Sequence, residues 1–410
     1  MKQWIQIATR NVWRNRRRSF FLAGTVAVGT MALLMFIAYI AATAEGLRES
    51  IVRGGTGHLQ IAKIGHYDGV EEQQLQFGLS EQERQAIQKV LQADKRVKRI
   101  VPRLSFGGLI STGQRTLTFQ ATAVQPDKER QTFGTFQNVR QGTPLSNDAD
   151  KIYSVVLGQE LARRLNVKPG DSVTVMTSTV FGGINAIDLQ VSGITSTGNP
   201  EGDLYTLFMP LAAAQDLLRT KKISRLVVLL YETSLSDQVT MDLQSKLTSV
   251  AQIKTWQQLV PMFEQVVSLY RNQFIVFGFI ITIVVFLGVA TMTLTNIFER
   301  TREIGTMRAL GIPAARIRFL FTVEGLLQGV MGVVLGLLLA ALASWLVNVI
   351  GVTLPPPPGR NTGVPLRLLW IAGNVVPIMI VLPLIATFAG FFISRRISKM
   401  PVVQALADNS

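Results

Sequence analysis

The sequence predicts an α-helical membrane protein with four transmembrane helices and a large α/β domain inserted between helices 1 and 2. Three observations predict it. Of the 410 residues, 48% are hydrophobic. Four segments of bilayer-spanning length carry no charge or a single one. Between the first and second of them lies a long stretch, 45–268, of nearly balanced charge that alternates strand-like and helix-like patterns.

The four segments are 19–44, 269–298, 319–350 and 368–394. The second is free of charge from 272 onward, and the third contains only Glu324. A spanning helix needs about 20 apolar residues. Buried helices of a soluble protein would keep a polar face, and these have none.

Net charge is +15, and its distribution is informative. Segments 1–18, 299–318 and 395–410 together hold 14 Lys/Arg against three Asp/Glu, whereas 45–271 holds 25 against 22. The excess sits in short segments beside the spans, as orientation signals do. Both termini and loop 299–318 are therefore placed in the cytoplasm, with 45–268 and loop 351–367 on the far side. Some of these cations are placed to meet anionic lipid headgroups. Nucleic acid is excluded, because no basic stripe is interleaved with aromatics.

There is no cysteine, hence no disulfide and no thiolate metal site. The two histidines, His58 and His66, lack metal-ligand spacing. No nucleophile elbow or paired-histidine constellation is present, so no catalytic residue and no metal is expected.

Residues 1–18 read as a cytoplasmic, interfacial amphipathic helix. Trp4, Ile5, Ala8, Val12 and Trp13 recur near i, i+4, i+8, while Arg10, Arg14, Arg16, Arg17 and Arg18 crowd the polar side. The run Arg16–Leu22 faintly resembles a twin-arginine signal, and Ala42-Thr43-Ala44 a cleavage site. The apolar run nevertheless exceeds the 7–15 residues of a signal h-region, so a retained first span is expected.

In the outer segment, 58–64 alternates as a strand, and Ser80 with Glu83 forms a capping box that opens a helix to Ala93. Strand 97–104 follows. A second β-α-β returns at 225–231, 234–249 and 252–256. These flanks, 45–104 and 206–268, are expected to pair into one split-βαβ subdomain. Residues 105–205 are expected to form an inserted β-rich subdomain, with strands at 105–112, 115–124, 152–157, 171–178 and 186–196.

Two charged features mark the spans. Segment 299–318 is too charged to bury in lipid. Glu324 lies near the start of the third span, where either a polar pathway or an interfacial pairing suits it. Gly332, Gly336, Ala340 and Ser344 form a small-xxx-small ladder, with Gly325 and Gly329 as a further step. Such ladders allow close helix packing, within the chain or across a dimer. In span 2, the line Gly278, Ile281, Val285, Gly288 and Met292 is a candidate face toward a partner subunit. Pro355–Pro358 is a stiff outer loop, read as a rigid connector. Phe77, Phe106, Phe133, Phe136 and Phe181 are candidates for an acyl-binding surface, although scattered aromatics usually belong to a core.

The motif Glu299-Arg-x-x-Glu-Ile-Gly-x-x-Arg-Ala-Leu-Gly311, followed by Glu324, resembles the permease subunits of the MacB–FtsX–LolC/LolE family of ABC transporters. Residues 156–175, and Val191-Ser-Gly-Ile194 leading to Phe208-Met-Pro210, resemble the periplasmic core domain of that family. The resemblance covers nearly the whole chain. His58-Leu-Gln-Ile61 is most similar to the lipoprotein-releasing LolC/LolE-like branch.

The resemblance implies an inner-membrane permease of the mechanotransmission type, in a bacterial cytoplasmic membrane, with its large domain periplasmic. No G-x-x-x-x-G-K-[ST] is present, so no cofactor is expected on this chain, and ATP with magnesium would sit on a separate ABC ATPase dimer. That ATPase would dock on Glu299, Arg300, Arg302, Glu303, Thr306, Arg308 and Gly311. A helix over 299–311 would turn Thr301, Glu303, Thr306 and Arg308 toward it, and Ile304, Met307 and Leu310 toward the bundle. Further partners implied are a second permease copy or paralogue, a periplasmic carrier or adaptor, and membrane lipids. The implied work is extraction of a lipoprotein or lipid toward the outer membrane. MacB-like efflux of drugs or peptides, and FtsX-like activation of a periplasmic cell-wall hydrolase, stand as alternatives.

Overall fold

The computed structural model describes residues 2–67, 77–133, 139–148, 153–196, 198, 200–247, 251–354, 364–368, 370 and 372–397. The chain divides into two compact units: a helical one (1–45, 266–353 and 365–410) and an α/β one (46–265 and 354–364).

The helical unit is built from α1 (Lys2–Arg14) and α2 (Arg16–Ile51) at its start. The α/β unit adds α3 (Glu81–Gln92), α4 (Pro126–Thr132), α5 (Gln159–Leu165), α6 (Pro200–Asp203), α7 (Leu211–Leu218), α8 (Ser236–Leu247) and α9 (Trp256–Leu259). Helices α10 (Met262–Glu299), α11 (Thr301–Ala309), α12 (Ala314–Ile350) and α13 (Ala372–Ile397) complete the chain. Among the described residues, four helices are long and apolar enough to cross a membrane: α2, α10, α12 and α13. Each of α2, α10 and α12 is longer than the apolar run that marks it, because the helix continues through the flanking charged residues.

Helix α1 meets α2 at Asn15, where Ser19 Oγ donates to the Val12 carbonyl at 2.9 Å. A side chain inserted into the backbone ladder bends a helix, so the expected helix over 2–18 becomes two pieces. The bundle core joins Leu22, Val26 and Leu34 of α2 to Val285 and Val289 of α10, Val333 and Ala340 of α12, and Leu382 and Ala386 of α13.

The small residues of α12 decide its neighbours. A Cβ on Gly332 would fall 2.6 Å from the Ala23 carbonyl oxygen, and one on Gly336 2.6 Å from that of Ala27, so α2 packs directly on this backbone. A Cβ on Gly325 or Gly329 would collide instead with Ala386 and Pro383 of α13. Ala340 is fully buried, and Ser344 Oγ accepts from Trp370 Nε1 at 3.1 Å. Val285 and Gly288, from the line expected to face a second subunit, pack inside the chain, whereas Met292 is 40% exposed: a Cβ on Gly29 would sit 2.4 Å from Val285, and one on Gly288 2.7 Å from Thr25. Small residues on both helices bring α2 and α10 together, which leaves Ile275, Val276, Phe279 and Val284 exposed on the other side of α10.

The α/β unit has strands β1 (Leu59–Lys63), β2 (Val97–Ser111), β3 (Thr116–Val124), β4 (Val139–Gly142), β5 (Ser154–Gly158), β6 (Ser172–Ser178), β7 (Ile184–Thr195), β8 (Thr206–Pro210), β9 (Arg225–Leu230) and β10 (Ala251–Thr255). They form one sheet in the order β10-β1-β9-β2-β3-β8-β5-β7-β4, with β6 bridging β2 and β7. The β10-β1-β9-β2 part is antiparallel throughout.

The expected boundary between residues 104 and 105 falls inside β2. This strand runs unbroken for 15 residues, its first half paired with β9 and its second with β3 and β6. Val101–Phe106 are buried in an unbroken row, covered on both faces. One core accordingly joins Leu59 and Ile61 of β1 to Val155 and Leu157 of β5. Ser80 and Glu83 do make the reciprocal capping box of α3, and Lys63 donates to Glu83 at 2.8 Å. That hydrogen bond holds the Glu83 carboxyl down at about 2.

Among the described residues, Phe77, Phe106, Phe133 and Phe181 form no common surface. Phe106 and Phe133 are core residues, 4% and 1% exposed, whereas Phe181 is 83% exposed. Phe136 and Pro355–Pro358 lie outside the described residues.

Candidate functional site

The charged loop between α10 and α12 folds as α11, two and a half turns long. Arg300 interrupts the helix at its start (φ −102°, ψ 12°), and Gly311 closes its end at φ +83°, where any other residue would be strained. Ile304 and Gly305 are buried against Ile297, Ile317 and Phe321.

Charge then fixes α11 and its neighbours from within the bundle. Arg300, expected on the partner-facing side, turns inward: it is 7% exposed, and its Nη1 donates to Glu324 at 3.2 and 3.3 Å. Its Nε donates to Glu303 at 2.9 Å, and its guanidinium lies 5.4 Å from the centre of the Phe321 ring. Glu324, 4% exposed, also accepts from Asn11 Nδ2 at 2.9 Å. Its partners are therefore Arg300 and Asn11, from elsewhere in the bundle.

Two further ion pairs tie the N-terminal helices to this cluster. Arg14 pairs with Glu303 at 3.3 Å, and Arg18 pairs with Glu299. Sequence pattern alone does not point to Asn11, and it assigns Arg14 and Arg18 only to a polar helix face, yet a signal for their pairing is present. Arg14 and Arg18 are four residues apart, as are Glu299 and Glu303, and the two i,i+4 pairs mate in opposite order. A cavity of about 80 Å3 lies beside them, lined by polar groups of Asn11, Asn296, Glu324 and Gln328 and by apolar Val12 and Leu22. The Asn296 carboxamide oxygen is buried there, with no partner among the described residues.

On its outer side α11 presents Arg302, Thr306 and Ala309. Arg308 is half-buried. Leu310, expected against the bundle, is 78% exposed, because the helix ends at Ala309 and the chain turns at Gly311. The segment is thus anchored by Ile304, Gly305 and Arg300, and offers a mixed polar and apolar outer edge.

The α/β unit contains a second buried polar cluster where the end of α2 meets the sheet. A π-turn, Val52–Thr56, leads to Gly57 at φ +71°, where a Cβ would fall 2.4 Å from the Val227 side chain and 3.0 Å from the Val228 carbonyl oxygen. Arg103 of β2 donates to the Gly55 carbonyl at 2.5 Å, pairs with buried Glu129 of α4, and stacks 4.9 Å from the Phe133 ring centre. His58 Nδ1 accepts from the Leu230 amide at 3.0 Å, so its Nε2 carries the proton toward Thr233 Oγ1 at 2.9 Å. Thr233 donates on to Glu49 at 3.3 Å. Burial pushes His58 down to about 4. The Trp256 amide donates to the His58 carbonyl at 3.0 Å, which fixes α9 beside the π-turn. Among the described residues, no three His, Asp or Glu side chains are grouped to hold a metal ion.

Two known families match successive parts of the chain. Residues 19–246 match the family described as MacB-like periplasmic core domain, and residues 275–402 match the FtsX-like permease C-terminal family. The chain belongs to the MacB/FtsX-like permease family. Among its relatives, the lipoprotein-releasing system transmembrane protein LolC of Xylella fastidiosa is 23% identical over 260 residues, 62% of each chain. The corresponding LolE of Haemophilus influenzae is 26% identical over 270 residues, 62% of this chain and 64% of that one. The matched stretch is thus somewhat under two thirds of either relative. The crystal structure of the periplasmic region of MacB from Actinobacillus actinomycetemcomitans aligns with 52% of this chain and 95% of its own, at TM-score 0.35 and 17% identity. The family accounts for the four apolar helices and the α/β unit, and α10–α13 all fall within or overlap the FtsX-like match.

Proposed function

We propose that this chain is the permease subunit of an ABC transporter and that a separate ATPase docks on α11. In this reading α2 and α10 flank a periplasmic α/β domain, both termini are cytoplasmic, and two permease copies or paralogues assemble. The observation that carries it is the placement of α11. Arg300 is committed to Glu324 and Glu303, while Arg302, Thr306 and Leu310 remain on the outer edge. An exposed apolar side chain ringed by polar groups suits an interface with an apolar centre and a polar rim. A segment clamped inside and exposed outside passes a push from its partner to the helices that hold it.

Within this reading the work is extraction of a lipoprotein or lipid from the inner membrane. The names of the LolC and LolE relatives support it. Affinity purification in mild detergent, with mass spectrometry of proteins and lipids, tests it. Recovery of an ABC ATPase with a lipoprotein or lipid supports extraction. Recovery with a periplasmic adaptor favours MacB-like efflux, and recovery with a cell-wall hydrolase favours an FtsX-like transducer.

A further inference from the structure

The bend between α1 and α2 carries a charge pattern that the ion pairs of the bundle do not use up. Segment 1–18 holds six basic residues and no acidic one. Arg14 and Arg18 are paired with Glu303 and Glu299. Arg10, Arg16 and Arg17 are exposed and make no ion pair among the described residues. Exposed apolar groups stand among them: Ile5 and Ile7 are 44% and 43% exposed, Trp13 is 65% exposed, and Phe20 and Phe21 are 66% and 69% exposed. Arg16 lies 5.5 Å from the centre of the Trp13 ring. Arginine beside an exposed tryptophan, directly before an apolar span, matches a bilayer interface in both of its layers.

We propose that Arg10, Arg16 and Arg17 bind the phosphate of an anionic phospholipid, and that this lipid seats α1 against α11. Charge complementarity selects the lipid. Guanidinium forks match phosphate oxygens in pairs, and a zwitterionic lipid offers no net charge to balance three unpaired cations. The buried side of the same short helix donates from Asn11 to Glu324, and its end pairs Arg14 with Glu303. A lipid that holds α1 at the interface therefore also holds two contacts of the α10–α12 connection. The Arg14–Glu303 pair is half-exposed, at 61% and 50%, so it depends on α1 staying in place. This inference rests on α2 crossing a bilayer and does not require the ATPase partner.

The test uses the full chain in nanodiscs of phosphatidylglycerol mixed with phosphatidylcholine, with retained lipid measured by native mass spectrometry after transfer to mild detergent. Wild type should retain phosphatidylglycerol over phosphatidylcholine. The triple variant Arg10→Gln, Arg16→Gln, Arg17→Gln should lose that preference by a factor on the order of 100, at about 5-fold per arginine. Hydrogen exchange across 299–311 should be slower for wild type in anionic than in purely zwitterionic discs, and indifferent to lipid in the variant. Unchanged phosphatidylglycerol retention by the variant overturns the site. Lipid-independent exchange in wild type overturns its connection to α11. Recovery of the ATPase from the same preparation reports separately on the docking reading.

Discussion

Arg300 donates from one nitrogen to both carboxylate oxygens of Glu324, at 3.2 and 3.3 Å, with both side chains almost wholly buried. The two residues bracket α11, one immediately before it and the other inside α12. Removing one partner of a buried ion pair leaves an uncompensated charge and costs about 3–5 kcal/mol, whereas replacing both with apolar groups can be neutral. Arg300→Met and Glu324→Met should each lower the thermal midpoint in detergent strongly, and the double variant should recover most of the loss. A double variant as unstable as the sum of the two would show that the residues act separately.

The α12 ladder yields a steric prediction. Gly336→Val forces a methyl toward the Ala27 carbonyl and should destabilise the bundle by about 1–3 kcal/mol, as overpacking does. On α2, by contrast, a Cβ added at Gly24 would meet no atom within 4 Å. Gly24→Ala should therefore be neutral or stabilising by about 0.5–1 kcal/mol. Thermal unfolding of both variants checks the contrast.

His58 sets a pH dependence. Burial holds its native pKa at about 4 against an ordinary 6.5, so the fold favours the neutral ring. Its contribution is then fully present above pH 6.5 and fades as pH falls toward 4, by about 3 kcal/mol in all. The denaturant midpoint of the full chain should drop between pH 7 and pH 4.5. In His58→Gln that drop should shrink. An equal drop in both proteins would place the titration elsewhere.

Arg103 and Glu129 hold the Gly55 carbonyl of the π-turn. Arg103→Met should cost about 3–5 kcal/mol by stranding the Glu129 carboxylate in the core, and adding Glu129→Leu should relieve part of it. Protease sensitivity after Gly54 should rise in the single variant, because the turn loses its anchor.

The spans, the strands other than β4 and β8, and the α3 cap were legible because each depends on local pattern: apolar length, alternation, or a serine three residues before a glutamate. The continuity of β2 was not: pattern alone divided it into strands 97–104 and 105–112, although Gly107 and Gly108 let one long strand pass close to β6. A Cβ on Gly108 would fall 2.3 Å from the Met176 carbonyl oxygen. The charged loop was legible as a surface segment, but not the inward turn of Arg300 or the outward turn of Leu310. Both depend on where α11 begins and ends, and element ends are the least local feature of a sequence. Nor could spacing alone bring Asn11 to Glu324 across 313 residues of chain.

Helix α11 is the proposed platform for the ATPase. Leu310 tests this most directly, because it is exposed and not part of the ion-pair cluster. The measurement is the amount of ABC ATPase co-purified with tagged wild type, Leu310→Asp and Arg308→Glu, at equal membrane insertion. Loss of a docking anchor of about 2 kcal/mol or more should cut recovery at least tenfold in Leu310→Asp, with a smaller loss in Arg308→Glu. Wild-type recovery in both variants would contradict the assignment of α11 as the docking segment.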